Sequence, residues 1–154
     1  MLLDTDTFRS VVTHAPLVSI DLVVRDAEGR ILLGKRVNRP ARDDWFVPGG
    51  RIYKNERLYD AFLRITQAEL GQPFSRNEAR LLDLYEHFYT DSVFGDTPDT
   101  HYVVAGYLLD LPSDCKLALP TAQHDAYRWW PVADMLASVR VHPHSKAYLA
   151  AFVG

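Results

Sequence analysis

GRIYKNERLYDAFLRITQAELG, running from Gly50 to Gly71, decides the fold. Asn55 stands where it can cap a helix predicted from Glu56 to Leu70, and Gly71 ends it. Leu58, Phe62 and Ile65 form the apolar stripe of that helix, at spacings of four and three. The next position on the stripe is Glu69. A carboxylate aimed at a core is costly without compensation by an arginine, a set of backbone N–H donors or a cation. The alternative is a helix-end glutamate that bends out to water, and spacing does not choose between the two. Just upstream, Pro48-Gly49-Gly50-Arg51 carries paired glycines. They can bring the backbone close to a ligand, adopt positive φ, or make a plain turn.

Outward from this segment the chain mixes strands and helices. A short helix is predicted over 4–12, capped by Asp4, Thr5 or Asp6. Leu17 to Val24 alternates as a strand, with Ser19 and Asp21 on its less apolar face. A turn at Asp26 to Gly29 leads into a returning strand from Ile31 to Lys35. Trp45-Phe46-Val47 is a short apolar segment, and strands are predicted at 81–88, 102–109 and 128–130. The stretch 90–100 reads as a loop, and 132–138 and 145–152 read as helices. Hairpins mixed with helices favour an α/β (α+β) layered domain over residues 1–154.

Composition narrows the function. The 154 residues carry 17 basic and 20 acidic side chains, a net charge of −3, with a pI near 6.0. Slight acidity argues against a nucleic-acid partner, which favours a basic stripe. The one cysteine, Cys115, excludes an internal disulfide or a Cys-cluster zinc site. No apolar run approaches the ~18 residues of a membrane helix, and MLLDTDTFRS lacks a signal-peptide pattern. The expectation is a cytoplasmic protein with no membrane and no nucleic acid.

Gly50, Glu56, Arg64, Glu69 and Gly71 together resemble the Nudix box, in which clustered helix glutamates hold divalent metals. Ile65 and Ala68 stand at two expected glutamate positions, and Gln72 at the final aliphatic one. Further motifs are Pro16 to Asp21, Leu33-Gly34-Lys35-Arg36, Asn38-Arg39-Pro40-Ala41, Trp45 to Arg51, His87-Phe88-Tyr89, Thr100 to Val104 and Gln123-His124-Asp125. With the altered box they resemble the GDP-mannose mannosyl hydrolases, a Nudix subfamily. That resemblance implies a Nudix fold, a mixed β-sheet sandwiched between helices. It also implies hydrolysis of GDP-mannose, or GDP-glucose or another GDP-hexose, to GDP and free sugar. In the reaction that the resemblance implies, water attacks the anomeric carbon with inversion.

The same resemblance implies one Mg²⁺ per site, with Mn²⁺ as an alternative, held by the Gly49 carbonyl, Glu69 and Gln123. All are oxygen donors, as Mg²⁺ prefers. His124 is the choice for general base, because imidazole titrates near neutrality; Asp125 could orient it, and a loop histidine without a role is the alternative. Arg36 and Arg51 are the expected diphosphate clamps, although each could be a surface ion pair. Asp21 is expected to face the sugar, or else to pair with a neighbouring arginine. His87 and Tyr102 resemble sugar-side residues, and Leu2, Leu3 and Phe8 resemble substrate contacts on the nucleotide side. Phe8 could equally anchor the first helix. Glu56 and Arg64 are expected to form a structural ion pair. A homodimer is the implied partner state. The alternatives are a pyrophosphohydrolase cleaving at phosphorus, and a non-catalytic nucleotide-sugar-binding domain.

Overall fold

The computed structural model describes residues 2–120 and 124–153; the side chains of His124 and Asp125 also fall outside the description. Helix α1 (Thr5–His14) leads into strand β1 (Leu17–Arg25), β2 (Ile31–Arg36), β3 (Trp45–Phe46) and β4 (Gly49–Arg51). Helix α2 (Leu58–Leu70) is followed by β5 (Arg80–Tyr89), β6 (Thr100–Asp110) and β7 (His124–Trp130). Helices α3 (Val132–Ala137) and α4 (Pro143–Lys146) close the order, α4 continuing as a 3₁₀ turn over Ala147–Ala151.

The strands make one mixed sheet of seven among the described residues, in the order β3-β2-β1-β6-β5, with β4 added to β1 and β7 to β2. β1 and β6 run parallel from Leu17↔Tyr102 to Arg25↔Asp110. β1 meets β2 only at Arg25↔Ile31, while Ser19, Ile20 and Asp21 pair with Arg51, Gly50 and Gly49 of β4. β1 therefore has β2 against one end and the glycine strand against the other, which brings Gly49 beside Asp21.

Alternation along β1 divides two cores. Ile20, Leu22 and Val24 join Ala61, Phe62, Ile65 and Leu70 of α2 on one face. Val23, Ile31 and Leu33 pack with Met135, Tyr148 and Leu149 of the C-terminal segment on the other. At about 25 cal/mol per Å² of apolar surface, these two layers are the main source of stability. The sheet sandwiched between helices is thus as expected.

Several expected boundaries move. Asp4 caps α1 by accepting from the Thr7 N–H, and the helix runs on to His14. Asn55 does not cap α2. It sits at φ 66° in a turn, closed by Glu56 N–H to Tyr53 O at 3.1 Å, a conformation Asn tolerates. The helix therefore starts two residues late, at Leu58. Leu58 itself is 41% exposed, and the buried stripe begins at Ala61. The C-terminal helix begins earlier than Ser145, because Pro143 at its first turn and the His142 cap nucleate it. It then tightens into 3₁₀ geometry. Gly49 and Gly50 form a strand and not a turn, and neither has positive φ.

Candidate active site

One wall of the site is local in sequence. Glu69, 5% exposed, projects from the last turn of α2 into a cavity of about 420 Å³ that it shares with Gly49, Gly50 and Arg51. The Gly49 N–H donates to Glu69 Oε1 at 3.3 Å, supplying part of the compensation a buried carboxylate needs. A Cβ on Gly49 would collide with the Asp21 carboxylate and the Ile20 carbonyl, so close approach is the reason for glycine here. A Cβ on Gly50 would lie 3.1 Å from Ile65. Ile65 thus packs under the glycine strand, where the family carries a carboxylate. Arg64 donates to both Glu56 oxygens, at 2.7 and 2.9 Å, and to the Arg51 carbonyl at 2.8 Å. The Tyr53 N–H also donates to Glu56, at 3.0 Å. The expected ion pair is present and ties loop to helix; it holds Glu56 below the usual carboxylate range.

The facing wall is assembled from distant strands. Asp21 and Gly106 are register partners on β1 and β6. The missing side chain at Gly106 leaves room for Tyr148, whose ring would lie 2.8 Å from a Cβ there. The Tyr148 hydroxyl donates to Asp21 Oδ2 at 2.5 Å and lies 3.4 Å from His87 Nε2. Asp21 keeps some surface open to the cavity, yet the protein packed around it pushes its pKa up to about 6. The Tyr148 bond and nearby Arg36 oppose that rise, and Glu69 adds to it. Tyr148 is pushed far up by burial and by Asp21, so it stays a donor. The alternative of an arginine ion pair for Asp21 is not found among the described residues; its side chain takes a tyrosine hydrogen bond instead.

His87 is 4% exposed. Its ring stacks on His144 at 4.1 Å with 4° between planes, and His142 lies 4.4 Å from His144. Burial first, then the neighbouring imidazoles, lowers His87 to about 3. His142 falls to about 4 through burial, His144 and Arg36, and burial lowers His144 too. These rings are neutral at physiological pH and serve as hydrogen-bonding and stacking surfaces.

Arg36 ends β2 with its guanidinium 5.1 Å above the Phe46 ring, and both line the cavity. Tyr102 and Tyr89 line it nearby, with rings edge to face at 6.4 Å. Burial raises both phenols and keeps them protonated, with Arg36 pulling the other way. Leu2, Leu3, Phe8 and Arg51 also line the cavity. Leu2 is a rim residue, 84% exposed. Phe8 also packs on Phe94, with centroids 5.7 Å apart, so its anchoring role is present alongside its place in the cavity.

The expected metal ligands can be compared with these donors. Glu69, Asp21 and the Gly49 main chain converge, all bringing hard oxygen or amide groups. Among the described residues no three His, Cys, Asp or Glu side chains form a ready metal cage. Such a site fits a cation that takes main-chain, amide and substrate oxygens, as Mg²⁺ does, better than one needing imidazole or thiolate. Gln123 lies outside the described residues. The His124 main chain pairs with Arg36 after a shift of register between Lys35 and Arg36, and its side chain is not described. Tyr127 on the same strand is pushed up to about 12 by burial and by Glu69, which places β7 beside the carboxylate.

Sequence reasoning missed Tyr148, Tyr53, Tyr89, Phe46 and the histidine stack. Alternation on β5 could have paired His87 with Tyr89, but nothing local links residue 148 to residue 21.

The NUDIX domain model matches residues 15–152. The low-salt glycan biosynthesis protein Agl8 of Haloferax volcanii is 39% identical over 146 residues, covering 95% of this chain and 88% of that protein. A MutT Nudix hydrolase from Burkholderia pseudomallei superposes with a TM-score of 0.72 at 26% identity, over 90% of this chain and 99% of its own. The Nudix domain of Shewanella oneidensis NrtR, solved with ADP ribose, superposes with a TM-score of 0.66 at 21% identity, over 96% and 92%. No helix among the described residues is long and apolar enough to cross a membrane. With the box loop and helix, the mixed sheet and the matched model all in agreement, the chain belongs to the Nudix hydrolase family.

Proposed function

We propose that this cavity hydrolyses a GDP-hexose, GDP-mannose in the first instance, to GDP and free sugar. Water attacks the anomeric carbon with inversion. The observation that carries the reading is how the polar groups divide. The helix wall offers Glu69 as its cavity carboxylate, with Ile65 packed under Gly50 and Ala68 beside it. The facing wall offers Asp21, Tyr148 and His87 as a linked cluster. The first is sparse for holding several metals around a phosphorus. The second suits a sugar ring with hydroxyls to bind and positive charge to stabilise.

In this scheme Arg36 and Arg51 pair with the diphosphate. Asp21, ionised at neutral pH and fixed by Tyr148, stabilises the oxocarbenium-like ring. His87 and Tyr102 hold sugar hydroxyls. His124 removes a proton as the water oxygen bonds to carbon, and the bond from that carbon to the β-phosphate oxygen breaks, its electron pair leaving with GDP. The Gly49 carbonyl and Glu69, with Gln123 as the resemblance implies, would hold one Mg²⁺ or Mn²⁺, which would supply charge neutralisation to the leaving diphosphate, so that no strong general acid is required. An inverting reaction then needs one base, on the far face of the sugar. The glycan-biosynthesis relative and the ADP-ribose complex of the Shewanella domain support a nucleotide-sugar substrate. The resemblance in sequence adds a homodimer in the cytoplasm as the working state.

The test is product identification over a panel of GDP-, UDP- and ADP-hexoses. GDP plus free hexose of inverted anomeric configuration is expected. GMP plus hexose phosphate would instead establish attack at phosphorus, and binding without turnover would leave a sensor.

A further inference from the structure

One part of the cavity lining holds two aromatic rings and one cation. The Arg51 guanidinium carbon lies 4.9 Å from the Phe8 ring centroid and 5.1 Å from that of Tyr53. Phe8 comes from α1 and Tyr53 from the turn before α2, and both line the cavity. Each ring has its own anchor. Phe8 packs on Phe94, which in turn carries Arg9 at 4.5 Å. Tyr53 lies against the Arg64 guanidinium at 3.8 Å, and Arg64 is locked to Glu56 and to the Arg51 carbonyl.

Arg51 differs from Arg64 in this respect. Among the described residues its guanidinium has no carboxylate partner and no side-chain hydrogen bond; the two rings are what it rests on. A guanidinium is planar and delocalised, and it stacks on aromatic faces much as a flat heterocycle does. A planar cation shared by two anchored rings therefore marks a place where a flat π-system fits.

We propose that Tyr53 supplies a second stacking ring for the nucleobase, beside the nucleotide-side contact that the resemblance implies at Phe8, and that Arg51 occupies the ring faces until the nucleotide arrives. The base takes the ring faces, and the guanidinium turns to the diphosphate. The exchange leaves no aromatic face bare and moves the positive charge to where negative charge has come in. Tyr53 becomes a base-stacking residue, sharing that role with Phe8. The inference rests on the reading of the cavity as a nucleotide-sugar site, which its test keeps separate.

The test is calorimetric binding of GDP and, independently, of inorganic pyrophosphate, both with Mg²⁺. The proteins are the unaltered chain, Tyr53→Phe, Tyr53→Leu and Tyr53→Ala. Tyr53 is half-exposed, and Tyr53→Leu keeps bulk without a π-face, so a packing effect is told apart from stacking. Loss of one base-stacking ring is expected to weaken GDP binding roughly 5- to 100-fold in Tyr53→Leu and Tyr53→Ala. Tyr53→Phe should bind GDP as the unaltered chain does, and pyrophosphate should bind all four equally or more tightly to the two truncations. Unchanged GDP affinity in Tyr53→Leu and Tyr53→Ala would overturn the proposal. So would an equal loss for GDP and pyrophosphate, which would put Tyr53 on the phosphate side. If the unaltered chain bound neither compound, the nucleotide-sugar reading would fall, and this inference with it.

Discussion

The wall made by Gly49 to Gly71 is continuous in sequence, whereas the other wall joins Asp21, His87 and Tyr102 from three separate strands, backed by buried Tyr148 from a fourth element. The first is held by short-range ties: Arg64 to Glu56, Glu56 to the Tyr53 amide, Glu69 to the Gly49 amide. The second exists only because β1 and β6 run parallel in one register, which sets Gly106 beside Asp21 and leaves room for a tyrosine from the far end of the chain. In the proposed scheme the local wall binds and neutralises, and the assembled wall meets the sugar. Perturbing each should therefore have a different signature.

The largest effect is expected at the base. His124→Ala should lower turnover by roughly 10²–10⁴-fold with the fold intact; rates under saturating substrate and a thermal melt check both halves. Unchanged turnover would take His124 out of the mechanism.

Next comes Tyr148→Ala, which empties a fully buried site and removes the donor to Asp21. A loss of about 3–5 kcal/mol is expected from denaturant unfolding, in line with other large aromatic truncations. Tyr148→Phe keeps the ring and should retain most of that stability while lowering kcat more than it alters KM. Gly106→Ala crowds the same ring and should cost about 1–3 kcal/mol. If Gly106→Ala were neutral, the assembled wall would be looser than its geometry implies.

On the local wall the expected change is smaller. Glu56→Gln breaks a partly exposed, two-pronged ion pair and should cost about 1 kcal/mol or slightly more, discounted for solvent screening. Glu69→Gln should chiefly raise the Mg²⁺ concentration needed for half-maximal rate, read from a metal titration.

The smallest effect is that of pH on stability. His87, His142 and His144 are held below their ordinary value of 6.5. The unfolded chain then binds more protons than the folded one as pH drops below about 6.5, and stability falls with it. Asp21 acts in the opposite sense between 3.8 and about 6, since its folded carboxyl takes up a proton the unfolded one does not. Three imidazoles outweigh one carboxyl, so the melting temperature should fall by roughly a few degrees from pH 7.5 to pH 5. A flat or rising profile would mean that the stack is solvated.

The contrast between the walls also explains what could be read from sequence. Helix α2 and the strands came from spacing, and the Glu56–Arg64 pair from the box motif, because their partners lie close in sequence; spacing put Glu69 on the apolar stripe but left open whether it turns inward or bends out to water. Asp21 and His87 could be singled out only by resemblance, and Tyr148 not at all. Its role depends on the β1–β6 register and on a glycine two strands' worth of sequence away. Asn55 was misread because a favourable cap type also suits a left-handed turn, and the Glu56 side chain is committed to Tyr53 and Arg64 in place of starting a helix. The paired glycines were left open between close approach, positive φ and a turn, and it is crowding by Asp21 and Ile65 that demands them.

The central claim is that water bonds to the sugar carbon. Turnover of a GDP-hexose in ¹⁸O-labelled water, with mass analysis of both products, tests it most directly. The account predicts heavy oxygen in the released hexose and unlabelled GDP. Label in a phosphate group would contradict it.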